Sequence, residues 1–400
     1  MPRAGVAAIV AAAVALLALA PSASARLLKG FWGPTQTNGE SQFPRYSDLR
    51  VDVYQMQLDW RDVAPTRPSH SRDPLDPSYR WPADVDYAIA QARLHHMKVL
   101  LMITTAPSWA NGGKPGNWAP KRSKYFANFA YAASKRYPSV HLWMVWGEPS
   151  RAPNWQPMTP QAGSDANAGR RLTKTPSRAP NWQPMTPQPG SDANAGKRLT
   201  KSEARAPRRY ARLLDTAYGQ LKRASKHNLV IGGNTFSWGY KGIRPVQWVE
   251  NMRFGKRNRR PRLDLYGHNP FTSRKPDLGN KPYCGSRRAG CADFSDLDWF
   301  GRLVDKYLGT SAHPHVRLFL SEFTLPTAPY DREFPYYVSL SQQARWITAG
   351  FHVARAVGAY GFGWIHLRDE PPNGKALRIS GGLIDYKGNL KPGYAAFKKG

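Results

Sequence analysis

Two glutamates carry the strongest chemical signal in this chain. Glu148 sits in the run from Val145 to Ser150 (VWGEPS), and Glu322 in the run from Leu318 to Phe323 (LFLSEF). Each closes a short apolar segment, and they lie about 170 residues apart. A strand that ends in an acid presents its carboxylate at the rim of a sheet, where side chains meet solvent and substrate. Two such acids on different strands are the minimum equipment for cleaving a glycosidic bond, one giving a proton and the other acting as nucleophile or base. Either glutamate alone also fits an ordinary solvated strand end; the pair favours chemistry.

The elements that must position them alternate along the chain. Apolar, β-branched runs at Leu27–Trp32, Val51–Leu58, Lys98–Thr104, His141–Trp146, Leu229–Gly233, Leu263–His268, Val316–Ser321 and Gly361–Leu367 predict strands. Helical patterns fall between them at Pro82–His96, Tyr125–Arg136, Pro207–Lys226, Asp296–Leu308 and Ser341–Val357. After Pro207, residues Tyr210, Leu213, Leu214, Ala217, Tyr218 and Leu221 share one face at 3.6 spacing, with proline in the first turn. Eight strands alternating with helices and no linker between halves predict one closed (β/α)₈ barrel, an α/β fold. A doubly wound open sheet gives the same alternation, but no glycine-rich phosphate loop follows the first strand. In a barrel of this order Glu148 ends the fourth strand and Glu322 the seventh, both at the C-terminal rim where active sites lie.

The first 25 residues read as a secretory signal, with Arg3 as positive flank, an apolar run from Val6 to Ala20, and Ala23-Ser24-Ala25 as cleavage site. The expectation is an exported catalytic domain spanning residues 26–400, without stable membrane insertion and monomeric. Its 41% hydrophobic content supports a sizeable core. The 58 Lys and Arg against 27 Asp and Glu give a net charge of +31, a field that favours anionic partners such as acidic polysaccharide, cell wall or nucleic acid. The basic residues are dispersed apart from Arg253–Arg262, and no nucleic-acid motif accompanies them, so solvated arginine-rich faces are the preferred reading and nucleic acid is not expected. Cys284 and Cys291, the only cysteines, predict a disulfide closing one short loop in an exported protein. No metal site and no cofactor is expected.

Residues 150–176 repeat as 177–203 with 23 of 27 positions identical. Both copies are rich in Pro, Gly, Ser, Asn and Asp, hence loop-like. The second ends in a capping-box pattern, Thr200 to Glu203, leading toward the next helix, whereas the first ends at Pro176. The first copy is expected to hold the connection from Glu148 and the second the connection to the helix. Doubling a surface loop costs only about 0.6 kcal/mol of closure entropy.

The strings around Glu148 and Glu322 together resemble the retaining glycoside hydrolases of the large (β/α)₈ superfamily, clan A. The likeness is greatest to the family 39 β-xylosidase-like and family 5 cellulase-like enzymes and covers roughly Lys29 to Lys398. The resemblance implies Glu148 as general acid/base and Glu322 as nucleophile, with the wall of Trp146 and an ionised Glu322 raising the pKa of Glu148. It implies Trp364, in GFGWIHL, as a platform under the sugar ring, and Tyr266 or His268, in LDLYGHNPF, as a group bonded to the nucleophile. Trp109 and Asn111, in TAPSWANGG, follow the third strand where they could line the cleft. Each of these side chains also fits a packing role: a core tryptophan, a satisfied core histidine, or plain loop packing. Gln57 and Asp59 end the second strand, where the family often has an arginine. One departure stands out: Gly147 occupies the place of the family's asparagine, which bonds the sugar 2-hydroxyl.

The expected function is hydrolysis of O-glycosidic bonds in a polysaccharide or oligosaccharide, an acidic or cell-wall polymer among the candidates. The competing expectations are a carbohydrate-binding or matrix-associated barrel with little turnover and, more weakly, a basic wall scaffold.

Overall fold

Eight apolar segments pair side by side in chain order and close into a parallel barrel. The computed structural model describes residues 26–161, 196–239, 242–334, 336–374 and 376–400. The expected signal at 1–25 and most of the second repeat copy lie outside the described residues. The strands are β1 (Leu28–Trp32), β2 (Val53–Asp59), β3 (Lys98–Thr104), β4 (Leu142–Val145), β5 (Leu229–Phe236), β6 (Leu265–Asn269), β7 (Leu318–Leu320) and β8 (Gly361–Ile365). A main helix follows each strand: α1 (Phe43–Asp48), α2 (Ala83–Leu94), α3 (Ser123–Arg136), α4 (Arg205–Ala224), α5 (Pro245–Asn251), α6 (Leu297–Leu308), α7 (Leu340–Ala356) and α8 (Pro392–Lys399), with short extra helices at Trp60–Val63 and Ser108–Asn111. The barrel closes where β1 pairs in parallel with β8, Leu28 through Trp32 facing Gly361 through Ile365. No helix of the described residues is long and apolar enough to cross a membrane.

Side-chain parity divides each strand between two cores. Val53, Leu100, Met102, Leu142, Met144, Ile231, Leu265 and Phe319 fill the barrel interior. Their sequence neighbours point the other way, into an aromatic-rich layer between sheet and helices. Tyr210 of α4 shows how that layer is pinned: its hydroxyl donates to the Val145 carbonyl at 2.8 Å and accepts from the Gly233 amide at 2.9 Å. One phenol therefore fixes α4 across both β4 and β5. Inside the barrel a polar side chain takes part in the filling. Gln55 of β2 reaches across to the Ser321 carbonyl at 3.0 Å. Its path requires glycine at positions 30 and 363, where a Cβ would stand 2.8 Å and 2.6 Å from the Gln55 amide nitrogen.

The described part of the first repeat copy, residues 150–161, is built into the fold. Trp155 is fully buried and meets Trp146 and Tyr210 edge-on, at 4.8 Å and 5.7 Å between ring centroids. The Ile243 amide donates to the Ser150 carbonyl at 2.8 Å, tying this loop to the one after β5. Where the second copy ends, Thr200 and Glu203 exchange reciprocal contacts, amide to carboxylate at 2.7 Å and amide to hydroxyl at 3.3 Å, in the turn leading into α4. Copy one thus leaves β4, and the end of copy two enters the helix. In a chain lacking Ser150–Pro176, the second copy would follow Pro149 directly, with Arg178, Asn181 and Trp182 in the places of Arg151, Asn154 and Trp155. That deletion should give soluble protein melting cooperatively within a few degrees of the parent, as read by circular dichroism; insolubility or a large fall in Tm would show that the extra copy is structural.

Candidate active site

The C-terminal rim of the barrel is where the backbone leaves ordinary conformations. Thr105, Trp146, Glu148 and His366, each just beyond the end of its strand, and Asn234, at the irregularity near the end of β5, have φ of 57°, 68°, 40°, 74° and 45°. Residues other than glycine rarely adopt this region, and each such residue stores of the order of 1–3 kcal/mol that its surroundings must over-determine. Two of the five flank Gly147 on the turn that carries Glu148 out of β4. The turn swings Trp146 away from the cleft and aims the glutamate into it.

Glu148 is buried, and three donors converge on its carboxylate: Arg151 Nη1 at 2.5 Å, Asn269 Nδ2 at 3.0 Å and Asn154 Nδ2 at 3.4 Å. The Asn269 amide is oriented from behind. Ser321 Oγ lies 2.7 Å from Asn269 Oδ1 and 2.9 Å from Asn234 Oδ1, sharing its single proton between them. Asn269 therefore presents its NH₂ group, not its oxygen, to Glu148. Glu322 follows Ser321 directly, half-buried at the end of β7. Burial first, and then the charges of Glu148 and Glu333, push its carboxyl well above the usual range, with Arg151 opposing them. Glu148, Glu322, Glu333 and Arg151 therefore share one electrostatic site. Glu333 in turn lies 2.8 Å from His366 Nε2, at the end of β8.

This arrangement reverses one expectation. Trp146 does not wall Glu148: it is buried against Phe126 of α3 and Trp155, and its indole donates to the Asn154 carbonyl at 2.7 Å. Glu148 is ringed by donors, and Glu322 is the carboxyl that favours a proton.

Five other expected contacts are also corrected. Tyr266 and His268 sit on β6 at positions that face the helices, both against Phe300 of α6. His268 Nε2 lies 2.9 Å from the Ala292 carbonyl and so carries the proton, which leaves Nδ1 to accept from Thr235 at 2.9 Å. Both nitrogens are used, and neither reaches Glu322. Trp364 is fully buried, edge-on to Phe323 in the sheet–helix layer, so it offers no face to a sugar. Trp109 packs on Trp60 and Tyr125 and donates to the Ala64 carbonyl. Asn111 spends its amide on the carbonyls of Ala106, Lys114 and Pro115 and its oxygen on the Lys114 amide, stapling its own loop. Asp59 likewise caps the short helix Trp60–Val63.

Other residues hold the inward-facing positions at this rim, Gln57 among them as the sequence suggested. Trp32, half-buried at the end of β1, packs against the barrel-interior cluster. Among the described residues its Nε1, together with Gln55 Oε1 and Asn234 Nδ2, is buried without a partner. Gln57 shares the inward parity of Gln55 and is exposed at the mouth. Behind them Trp238 stacks on Tyr283 at 5.5 Å, next to the disulfide joining Cys284 and Cys291.

No family model and no curated protein sequence matches the chain. Solved structures do. A family 39 glycoside hydrolase from Bacteroides cellulosilyticus WH2 superposes with TM-score 0.60 and 14% identity, covering 94% of this chain and 63% of that one. A monomeric β-xylosidase from Caulobacter crescentus CB15 gives 0.55 and 15%, covering 93% and 66%. A family 39 enzyme from Xanthomonas axonopodis pv. citri gives 0.54 and 15%, covering 95% and 66%. The chain has the barrel fold of the family 39 glycoside hydrolases. It spans less than two thirds of the length of these proteins.

The buried His268 makes a testable contribution to stability. Burial lowers its pKa from 6.5 to about 4, so between those values the unfolded chain binds the proton more readily than the folded one. The folded state keeps its full stability above pH 6.5 and loses up to about 3 kcal/mol as pH falls to 4. Asp296, raised to about 6 by burial and by Asp293, acts in the opposite sense over part of this window. The comparison is therefore between parent and His268→Gln. Urea midpoints of the parent should fall relative to those of the variant as pH drops from 7 to 4.5, and parallel profiles would refute the assignment.

Proposed function

We propose that the protein is an exported glycoside hydrolase that cleaves a β-glycosidic bond with retention of configuration. The observation that carries this reading is the pair of glutamates at the rim of β4 and β7, electrostatically coupled and joined through Ser321 and Asn269. The fold likeness supports it, since the similar structures include hydrolases described as a β-xylosidase and a glucosidase. Export rests on the sequence of residues 1–25.

Glu322 is the nucleophile and Glu148 the acid/base. In the first step a Glu322 oxygen bonds to the anomeric carbon while Glu148 gives its proton to the departing glycosidic oxygen, whose bond to that carbon breaks. In the second, Glu148 takes a proton from water, whose oxygen displaces Glu322 and restores its carboxylate. The resting cleft must first be rearranged, because the proton is favoured on Glu322 while Arg151 and two amides hold Glu148. A substrate that draws Arg151 away and adds its leaving oxygen beside Glu148 accomplishes this. Gln57, exposed at the mouth, and the half-buried Trp32 are the side chains offered to the ring. A panel of aryl β-glycosides and polysaccharides tests the reading directly.

The same ion pair supports a second reading, a barrel that binds carbohydrate with little turnover. Glycan-array binding without hydrolysis of any panel member would select it.

Glu148→Gln and Glu322→Gln should each reduce kcat by at least about a thousandfold without changing the fold, and azide should rescue Glu322→Ala as a glycosyl azide. Parent rates in both glutamine variants would sink the mechanism. Gly147 provides a separate test. Its φ lies outside the left-handed range, and a Cβ there would meet only the flexible end of Met102, at 2.9 Å from the sulfur. Gly147→Asn should therefore fold and raise kcat/KM by about tenfold to a hundredfold if a hydrogen bond to the 2-hydroxyl is what the site lacks. An unchanged kcat/KM would mean that another donor already supplies it.

A further inference from the structure

The sequence shows a chain with dispersed positive charge; the fold gathers part of it into a stripe. α4 begins at the catalytic face, because it follows the C-terminal end of β4. Its first turns place Arg205, Arg208, Arg209 and Arg212 at spacings i, i+3, i+4 and i+7, and all four are exposed. The intervening Ala206, Pro207, Tyr210 and Ala211 are buried, so the arginines form one outward row, about 10 Å from first to last. Lys197, Arg198 and Lys201 are exposed in the segment that leads into the helix.

Among the described residues no ion pair balances the four arginines of α4. The one acid close by in sequence, Glu203, is buried and bonded to Thr200. Asp215, farther along α4, is taken by Arg262. The first turn of α4 has no acidic residue. Like charges three and four residues apart repel on a helix, and cations at its N-terminus oppose the macrodipole. Burial and the charge of Arg205 both hold the Arg209 pKa below its ordinary value. On two independent counts the arrangement works against the helix that carries it, and an external anion would relieve both. The repeat adds to it: the basic cluster that leads into the helix, KRLTK at 197–201, is a second copy of RRLTK at 170–174.

We propose that this row is a docking surface for a polyanionic glycan bearing carboxylate or sulfate groups, held along α4 beside the cleft. Guanidinium forks suit planar and tetrahedral oxyanions, and a regularly charged polymer can engage successive turns of one helix. A glycan is favoured over nucleic acid because the row starts at the face that carries the two glutamates and no base-reading motif accompanies it. The choice of polymer class rests on the glycosidase reading; the existence of the anion surface does not.

The test uses the full chain and two quadruple variants. One carries Arg205→Gln, Arg208→Gln, Arg209→Gln and Arg212→Gln. The other removes the same charge from dispersed exposed sites through Arg93→Gln, Lys124→Gln, Arg345→Gln and Lys387→Gln. Binding to polygalacturonate, chondroitin sulfate, neutral xylan and duplex DNA is measured by affinity electrophoresis at low and raised salt. The α4 variant should bind one or both anionic glycans about tenfold or more weakly, with the parent's binding falling as salt rises, while the control changes little. Preference between the two polymers distinguishes carboxylate from sulfate recognition. Equal losses in both variants, no binding of either glycan by the parent, or tighter binding of DNA through the same row would overturn the proposal. Aryl β-glycoside turnover, measured in parallel, should be the same in parent and α4 variant. A parent that binds the glycans but turns over no glycoside would refute the catalytic reading and leave the surface standing.

Discussion

The site depends on one short chain of hydrogen bonds, from Ser321 through Asn269 to Glu148. It is small, but it crosses from β7 to β6 to β4 and connects the backbone that carries one glutamate to the side chain of the other. Ser321 decides which way the Asn269 amide faces, and the amide decides where the Glu148 carboxylate points. Below it, Gln55 anchors the Ser321 carbonyl from the far side of the barrel, and two glycines on β1 and β8 clear its path. Barrel closure and site geometry are thus the same problem. The register of β1 against β8 sets whether Gln55 can reach, and Gln55 helps set where Ser321 and Glu322 stand.

How much of this was legible in the sequence follows from what each signal reports. The eight strands were, because apolar β-branched runs bounded by Gly, Pro and polar residues mark them wherever they point. The two glutamates were, because an acid ending such a run is conspicuous. Which face each strand residue takes was not. A parallel barrel buries both faces of its sheet, so no alternation of polar and apolar residues marks the inward side. His268 and Asn269 are adjacent and equally polar; one faces α6 and the other holds Glu148. By the same parity Trp364 was taken for Trp32's place in the cleft. The turn at Trp146 hid another assignment, since positive φ at a tryptophan cannot be read from composition. Arg151 gave no signal because it belongs to a repeated, loop-like segment; Asn154 was legible only as one of two equivalent donors, with Asn181, because the copies cannot be ranked by sequence.

The electrostatics of the cleft have their own logic. Three carboxylates, Glu148, Glu322 and Glu333, interact in one space. Arg151 pairs with Glu148, and His366 Nε2 lies against Glu333. Among the described residues Glu322 has no cation bonded to it in the same way, and burial together with the charges of Glu148 and Glu333 favours its protonated form. The cost of crowding acids into one site thus falls on the carboxyl that has no bonded cation.

The positive φ at Glu148 has a consequence of another kind. A residue held in a conformation that glycine would adopt freely is a place where activity and robustness pull in opposite directions. Replacing the glutamate by glycine would remove both the chemistry and the backbone strain, and would release Arg151 from a buried ion pair. Selection for heat tolerance alone, applied without selection for function, would drift toward losing this side chain.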